Sequence, residues 1–346
     1  MDLTKTRDGR HVAATGPLLG TETDAGPGTA PSPPPPRRRP RTRGLDRTRR
    51  RLALGLVVPT VAFMVFVHLV PTAGGVFLSF KNLNTYTFSQ LFGAPWAGLE
   101  NYRRLLFDET NPLHNGFMQA LRNTAVYTAV TVTGTLAGGM GLALLLNRTF
   151  RGRAVVRPLM LLPWVVPSFV AATVWQLMWQ RDAGLVNQIL VDWTHVLGER
   201  PTWLLGGNTM WAIVIPTIWR GLPFAMLIFL AGLQSVPADL LEAAAIDGAG
   251  PVRRFWHVTF PLIRPLFAIQ LLFGVVYNAY QYTIPVVMLG SNPGADADLL
   301  MTLVVRQSFA SNLVGFGSAV STLMTLGMLG WVAVWYVAFR RDLEAN

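Results

Sequence analysis

No cysteine occurs in the chain, which excludes a disulfide framework, a thiolate nucleophile and any metal site built on sulfur. Charge is also scarce. Only 14% of the residues are charged and 51% are hydrophobic, whereas an ordinary soluble domain is roughly a quarter charged. Lysine is limited to Lys5 and Lys81. Lys5 precedes Thr6 without a Gly-rich stretch before it, and Lys81 precedes Asn82, so neither can end a phosphate-cradling loop. His11, His68, His114, His195 and His257 are scattered without metal-ligand spacing. No Gly-x-Ser-x-Gly elbow occurs either. These gaps argue against a membrane enzyme.

What the chain does have is long apolar runs. Six of them, at about 52–80, 123–147, 155–179, 208–233, 262–289 and 314–339, come near or exceed the roughly 20 residues that cross a bilayer as a helix. A membrane barrel would show short alternating segments instead. The expected fold is therefore all-α: a polytopic membrane helix bundle with six predicted transmembrane helices. Before the first run, residues 1–50 are rich in Pro, Gly, Thr and Arg, with Pro33–Pro36 in a row. They are expected to be a disordered, basic, Pro-rich tail, because they contain no apolar surface to bury.

The net charge of +11 is concentrated in that tail, where nine arginines fall within residues 37–51. Directly before an apolar run, such a cluster reads as an orientation signal rather than a nucleic-acid footprint, so no nucleic-acid partner is expected. Thr48-Arg49-Arg50-Arg51-Leu52 superficially resembles a twin-arginine export signal. The run that follows is too long for a signal core, and further spans come after it. With the N-terminus inside, eighteen basic residues near the spans lie on the inner side and seven on the outer side. Six spans then return the C-terminus inside, and the chain is expected to be a multi-pass protein of the bacterial inner membrane with both termini cytoplasmic.

Arg220 is the one charged residue clearly within a span, and no Asp or Glu lies within any of the six. Ion-coupled transporters need intramembrane carboxylates, so energy is expected from elsewhere. The fifth run carries Tyr277, Asn278, Tyr280, Gln281 and Tyr282 close together. Tyr277 with Gln281, and Asn278 with Tyr282, would share helix faces at a spacing of four. Aromatic faces beside amides and hydroxyls suit a neutral, many-hydroxylated solute. With Trp219 and Arg220 these residues are the candidate substrate path; the alternative is hydrogen bonding between helices. His68 in the first span reads as a neutral histidine bonded to a neighbouring helix rather than a functional one. Gly134 and Gly138 make a small-xxx-small face that suits helix packing.

The stretch Pro237–Pro265, PADLLEAAAIDGAGPVRRFWHVTFPLIRP, lies between the fourth and fifth runs on the predicted inner side. It reads as a helix, a turn and a second helix. Asp239 sits near the first helix start, where an acid favours the dipole. Gly248 and Gly250 permit the backbone to turn out of that helix, and Pro251 suits the start of the next. Ala243, Ala244 and Ala245 make a smooth face that another protein can approach closely.

Glu242-Ala243-Ala244, Asp247-Gly248-Ala249, Phe255, Val258, Pro261 and Pro265 in this order resemble the EAA loop of ABC importer permeases. Trp219-Arg220-Gly221-Leu222-Pro223-Phe224 and Leu230-Ala231-Gly232-Leu233-Gln234-Ser235-Val236-Pro237 are similar to the fourth span of sugar permeases. Asn147-Arg148, Phe150-Arg151-Gly152, Leu162-Pro163-Trp164, Gly184-Leu185-Val186-Asn187 and Gly98-Leu99-Glu100-Asn101-Tyr102 also match elements of that family. The resemblance covers about residues 52–341 and is nearest the maltose-permease type of the oligosaccharide branch. The chain departs from that branch at Gly290-Ser291-Asn292-Pro293-Gly294, at Asp298-Leu299 and at Leu303-Val304-Val305, which bears on the solute.

The resemblance implies a tail (1–50), a first helix with its outer loop (51–117) and an importer transmembrane domain (118–341) with the EAA loop at 237–265. It implies that Glu242, Ala243, Ala244, Asp247, Gly248, Ala249, Phe255 and Pro261 dock into a cytoplasmic ATPase. It also implies a second homologous permease subunit, two copies of the ATPase, an extracytoplasmic solute-binding protein and a lipid membrane around the chain. ATP and Mg belong to the ATPase, and this chain binds no cofactor or metal. The expected solute is a sugar or oligosaccharide; the alternative is a polyamine, phosphate or another oxyanion.

Overall fold

The structure, a computed structural model, describes residues 43–84, 86 and 93–344. The proposed disordered tail lies outside the described residues as far as residue 42. The chain divides into two compact units, Met1–Val61 and Ala62–Asn346. In the first unit the described part is helical: α1 (Arg43–Met64) begins inside the segment that was assigned to the tail.

The regular structure described in the second unit is helical, and among the described residues the only β-pairing is an isolated bridge between Lys81 and Trp96. After a π-helical turn, α2 (Val70–Ser79) ends the first span. The short α3 (Glu100–Leu106) lies in the following loop. Its side chains explain the Gly98–Tyr102 element. Asn101 donates to the carbonyls of Ser79 (2.8 Å) and Lys81 (3.1 Å), and the Tyr102 hydroxyl pairs with Ser79 Oγ at 2.6 Å. The loop thus satisfies carbonyls that the end of a helix leaves open. Beside it, hydrogen bonds from Arg103 and then Arg104 hold the Glu100 carboxyl well below the usual range, at about 2.

The long α4 (Pro112–Asn147) follows. It starts 11 residues before the predicted second span, with Asn111 accepting from the Leu113 amide as N-cap. At 36 residues it exceeds a hydrocarbon core of about 30 Å. Next come α5 (Arg153–Met160), α6 (Leu162–Val165) and α7 (Ser168–Met178). These three replace the single predicted third span. The segments Arg153–Val165 and Ser168–Met178 meet at 93°, because Val166 precedes Pro167 and takes an extended ψ of 128°; a residue before proline disfavours the helical region.

One turn, α8 (Leu185–Asn187), leads through an ordered loop to α9 (Thr209–Ser235). Asn187 anchors this loop, donating to the Arg181 and Pro201 carbonyls and accepting from Trp203 Nε1. Then come α10 (Ala238–Ile246), α11 (Pro251–Arg254), α12 (Phe260–Ala279), α13 (Thr283–Leu289), α14 (Leu300–Val305) and α15 (Val314–Glu344). Among the described residues, five helices are long and apolar enough to cross a membrane, and six if the bent segment counts as one.

The centre of the unit is the packing of α4 on α9. Gly134, Gly138 and Gly139 face Ile218, Leu222 and Ala225, with no room for a Cβ. Between lipid-embedded helices close approach at small residues supplies the attraction, because there is little hydrophobic drive. Tyr127 and Thr217 pair across this seam at 2.7 Å, both buried. Elsewhere buried indoles tie helix to helix: Trp179 Nε1 donates to the Ala212 carbonyl and Trp335 Nε1 to that of Ala268. His68 does not reach another helix. Its Nδ1 lies 3.1 Å from the Met64 carbonyl, one turn back on its own helix, and the side chain is exposed.

Candidate functional site

Two features stand out: a cavity inside the bundle and an exposed helix-turn at one end of it. The cavity has a volume of about 710 Å³ and lies between α4, α6, α9, α12 and α13. Its position follows from a break in the fifth predicted span. The apolar run 262–289 is not one helix: α12 ends at Ala279, Tyr280 leaves the helical region, and α13 restarts at Thr283. Pro285 explains the break. In an unbroken helix its ring would press on the Gln281 carbonyl four residues earlier and its missing N–H would leave that oxygen open. Gln281 instead turns its own amide oxygen onto the Tyr282 N–H at 3.1 Å.

This break corrects the expectation of shared helix faces, since Gln281 and Tyr282 lie beyond the end of α12. Tyr277, Asn278 and Gln281 nevertheless line the cavity, as does Arg220, whereas Tyr280, Tyr282 and Trp219 do not. The Trp219 ring packs edge-on against Trp175 at 5.8 Å, and Tyr280 is partly exposed. The sequence reading missed Thr135, Trp164, Thr217, Phe224, Gln270 and Phe273, which complete the wall. Trp164 stacks on Phe224 at 5.8 Å, so the bent third span places an aromatic face here that a straight span would not. Pro163 and Pro167 on either side of Trp164 were the available signal.

Among the described residues the cavity wall carries one cation and no carboxylate. Arg220 Nη1 donates to the Tyr277 hydroxyl at 3.1 Å, while its enclosed Nε has no partner. Asn278 donates to the Gly274 carbonyl at 2.8 Å and leaves its buried Oδ1 unpaired. A buried polar atom left open costs free energy unless something satisfies it. The chemistry offered is thus aromatic surface with a few fixed donors and acceptors.

The second feature is α10 with its turn. Ala249 N–H bonds to the Ala244 carbonyl and Gly248 N–H to that of Ala245, and Gly248 has φ +79°. This is a Schellman ending, which favours glycine at the left-handed position. Gly250 caps the start of α11, and Pro251 opens it. The second helix of the loop is not separate, however: from Pro251 it continues into the span that ends at Ala279. Glu242, Ala243, Asp247, Gly248 and Pro261 are exposed, and Glu242 has no ion-pair partner among the described residues. Ala244, Ala249 and Phe255 are half-buried, with Phe255 packed on Trp256 and Phe260. The sequence reading did not single out Ile246, which is 88% exposed at the tip. Leu240, Val252 and Trp256 of the same loop are large, apolar and exposed as well.

Residues 131–343 match the family of the binding-protein-dependent transport system inner membrane component. The chain belongs to this family. It is an inner-membrane permease of a binding-protein-dependent ABC importer. The permease is 32% identical to the trehalose/maltose transport system permease protein MalF of Thermococcus litoralis, over 84% of its own length and 95% of that protein's. It is 33% identical to the sulfoquinovosyl glycerol transport system permease protein SmoG of Agrobacterium fabrum, over 81% and 87%. It is 30% identical to the sn-glycerol-3-phosphate transport system permease protein UgpA of Yersinia pestis, over 84% and 94%. In fold the permease is similar to a chain of a bacterial alginate ABC transporter solved with a periplasmic protein carrying an alginate pentasaccharide. That likeness has a TM-score of 0.70 at 20% identity and covers 86% of this chain and 96% of the other.

Proposed function

We propose that the permease carries a sugar or oligosaccharide, and that the cavity beside α12 is its path through the membrane. The observation that carries this reading is the wall itself: Trp164, Phe224 and Tyr277 offer aromatic faces, and Asn278, Gln281, Gln270, Thr135 and Thr217 offer amides and hydroxyls. Sugars bind through such a mixture of ring stacking and hydrogen bonding. The names of the relatives, which include a trehalose/maltose and a sulfoquinovosyl glycerol permease, point the same way. A polyamine fits poorly, because the one charge in the wall is the Arg220 cation.

In this reading both termini are cytoplasmic and the Ile246 end of α10 faces the cytoplasm. Glu242, Ala243, Ala244, Asp247, Gly248, Ala249, Phe255 and Pro261 dock into one copy of an ATPase. A second homologous permease takes a second copy and closes the open side of the cavity. ATP and Mg sit on the ATPases, and this chain holds neither. A loaded binding protein docks on the outer loops. ATP draws the ATPases together, the α10 turn moves with its ATPase, and because it runs directly into α12 it tilts the helix bearing Tyr277 and Asn278. The cavity turns outward, takes the solute, and returns inward after hydrolysis, which is alternating access driven by a partner.

Uptake by cells expressing the permease with its neighbouring transport genes tests the proposal, using labelled trehalose, maltose and longer neutral oligosaccharides against spermidine and phosphate. Accumulation of one sugar, competed only by sugars, is expected. Accumulation of spermidine or phosphate alone would replace this reading with the non-sugar one.

A further inference from the structure

The segment joining α4 to α6 carries Arg148, Arg151, Arg153 and Arg157 within ten residues, and no Asp or Glu occurs from Thr110 to Arg181. Among the described residues none of the four pairs with a carboxylate. Arg157 Nη2 donates to the Leu146 carbonyl at 3.1 Å, at the end of α4. Arg153 reaches the Arg148 carbonyl at 3.4 Å. Arg157 Nε is enclosed and has no partner. It lines a second cavity, of about 180 Å³, with Leu161, Met226, Leu230 and Gln234. Its lining residue Gln234 immediately precedes Ser235, where α9 ends. Next to it Val155, Leu159 and Leu162 are large, apolar and exposed.

We infer that this pocket holds the phosphate of an anionic membrane phospholipid from the leaflet on the α10 side, with the acyl chains lying along Val155, Leu159 and Leu162. The charge supplies one half of the argument. The half-buried Arg157 has no counter-ion, its enclosed Nε has no acceptor, and an enclosed donor left open is costly; a phosphodiester matches the guanidinium's fork of donors. Arg148 and Arg151 are exposed beside it and add to the attraction. The position supplies the other half. The cationic group sits where a span ends, with apolar side chains on the membrane side, which is the arrangement of headgroup over hydrocarbon. Basic pockets between helices at this level recognise lipid headgroups, and each basic residue contributes on the order of fivefold in binding. The Arg157 contact with Leu146 accounts for one guanidinium nitrogen and leaves the enclosed Nε open. The inference does not depend on which solute the permease carries.

The test uses the full-length protein in nanodiscs of phosphatidylcholine doped with phosphatidylglycerol, followed by release into detergent and native mass spectrometry of retained lipid. The native chain should retain phosphatidylglycerol in preference to phosphatidylcholine. Arg157→Gln should lower that retention by about fivefold. The Arg148→Gln/Arg151→Gln pair, two exposed residues, should lower it in the same direction and keeps the test valid should Arg157→Gln fail to fold. Arg341→Gln, which removes an exposed arginine from the last helix, should leave it unchanged. Equal retention of the two lipids by the native chain would overturn the inference. So would an equal loss in Arg341→Gln, unchanged retention in the Arg148/Arg151 pair, or displacement of the lipid by inorganic phosphate.

Discussion

Arg220 of α9 and Tyr277 of α12 meet at 3.1 Å across the wall of the cavity, although 57 residues separate them. The contact joins the span that leads into the α10 turn to the span that follows it. In the proposed path it holds the cation toward the solute. Tyr277→Phe and Arg220→Gln should each raise the solute concentration needed for half-maximal uptake, and the double variant should cost less than the two effects added, as expected for residues in contact. Fully additive losses would show that the two act separately.

Asn278 supplies a buried acceptor that nothing among the described residues satisfies. Asn278→Leu should reduce uptake by about tenfold, the worth of one hydrogen bond to the solute, while expression and basal ATPase activity of the assembled complex stay intact. Failure of assembly would mark the residue as a tie between helices, and unchanged uptake would remove it from the path.

Gly248 has φ +79° in open space, so a side chain there meets no atom and acts through the backbone. A β-branched residue in the left-handed region costs roughly 1–2 kcal/mol, enough to unwind the end of α10 and misplace Ile246. Gly248→Val should therefore abolish solute-stimulated ATP hydrolysis more completely than Glu242→Ala, which removes only an exposed charge. Ile246→Asp should act like Gly248→Val without disturbing the turn. All three should still reach the membrane. Normal stimulation in the Gly248→Val complex would mean that this turn is not the coupling element.

Asp298 and Arg306 form a bidentate ion pair that is largely shielded from solvent, with Thr302 Oγ1 donating to the same carboxylate at 2.7 Å. It fastens the loop before α14, and Asn123 of α4 holds that loop from the other side through the Ala295 and Asp298 carbonyls. Asp298→Asn leaves the guanidinium shielded and unmatched, which costs on the order of 3 kcal/mol. A lowered thermal midpoint in detergent checks this. The double change Asp298→Leu/Arg306→Leu should recover part of the loss.

Orientation can be read with single cysteines, since the native chain has none. Gly184 is unsuitable, because a Cβ there would strike the backbone carbonyls of Gln180 and Met178. Gly198 and Gly250 both have open space. A membrane-impermeant maleimide added outside intact spheroplasts should label Gly198→Cys and not Gly250→Cys. The opposite pattern would invert the proposed topology.

The all-helical fold, the helix–turn around Gly248 and the packing role of Gly134 and Gly138 could all be read from the chain. Each rests on a local cause: the length of an apolar run, the left-handed tolerance of glycine, or the absence of a side chain at a fixed spacing. The cavity could not be read in the same way. Tyr277, Asn278 and Gln281 were visible as a polar cluster, but a continuous helix 262–289 would have pointed Gln281 along the Tyr277 face and enrolled Tyr282 with Asn278. The break enforced by Pro285 sends Tyr282 away, and the 93° bend at Pro167 brings in Trp164. Arg157 was legible as one of four inner-side charges, but not as a half-buried side chain with an enclosed, open Nε. Local sequence determines where helices start, stop and turn because those events depend on residues within one or two turns. Which side chains then face a common space depends on how helices far apart in the chain cross, and only the tertiary packing of α4, α9 and α12 decided that.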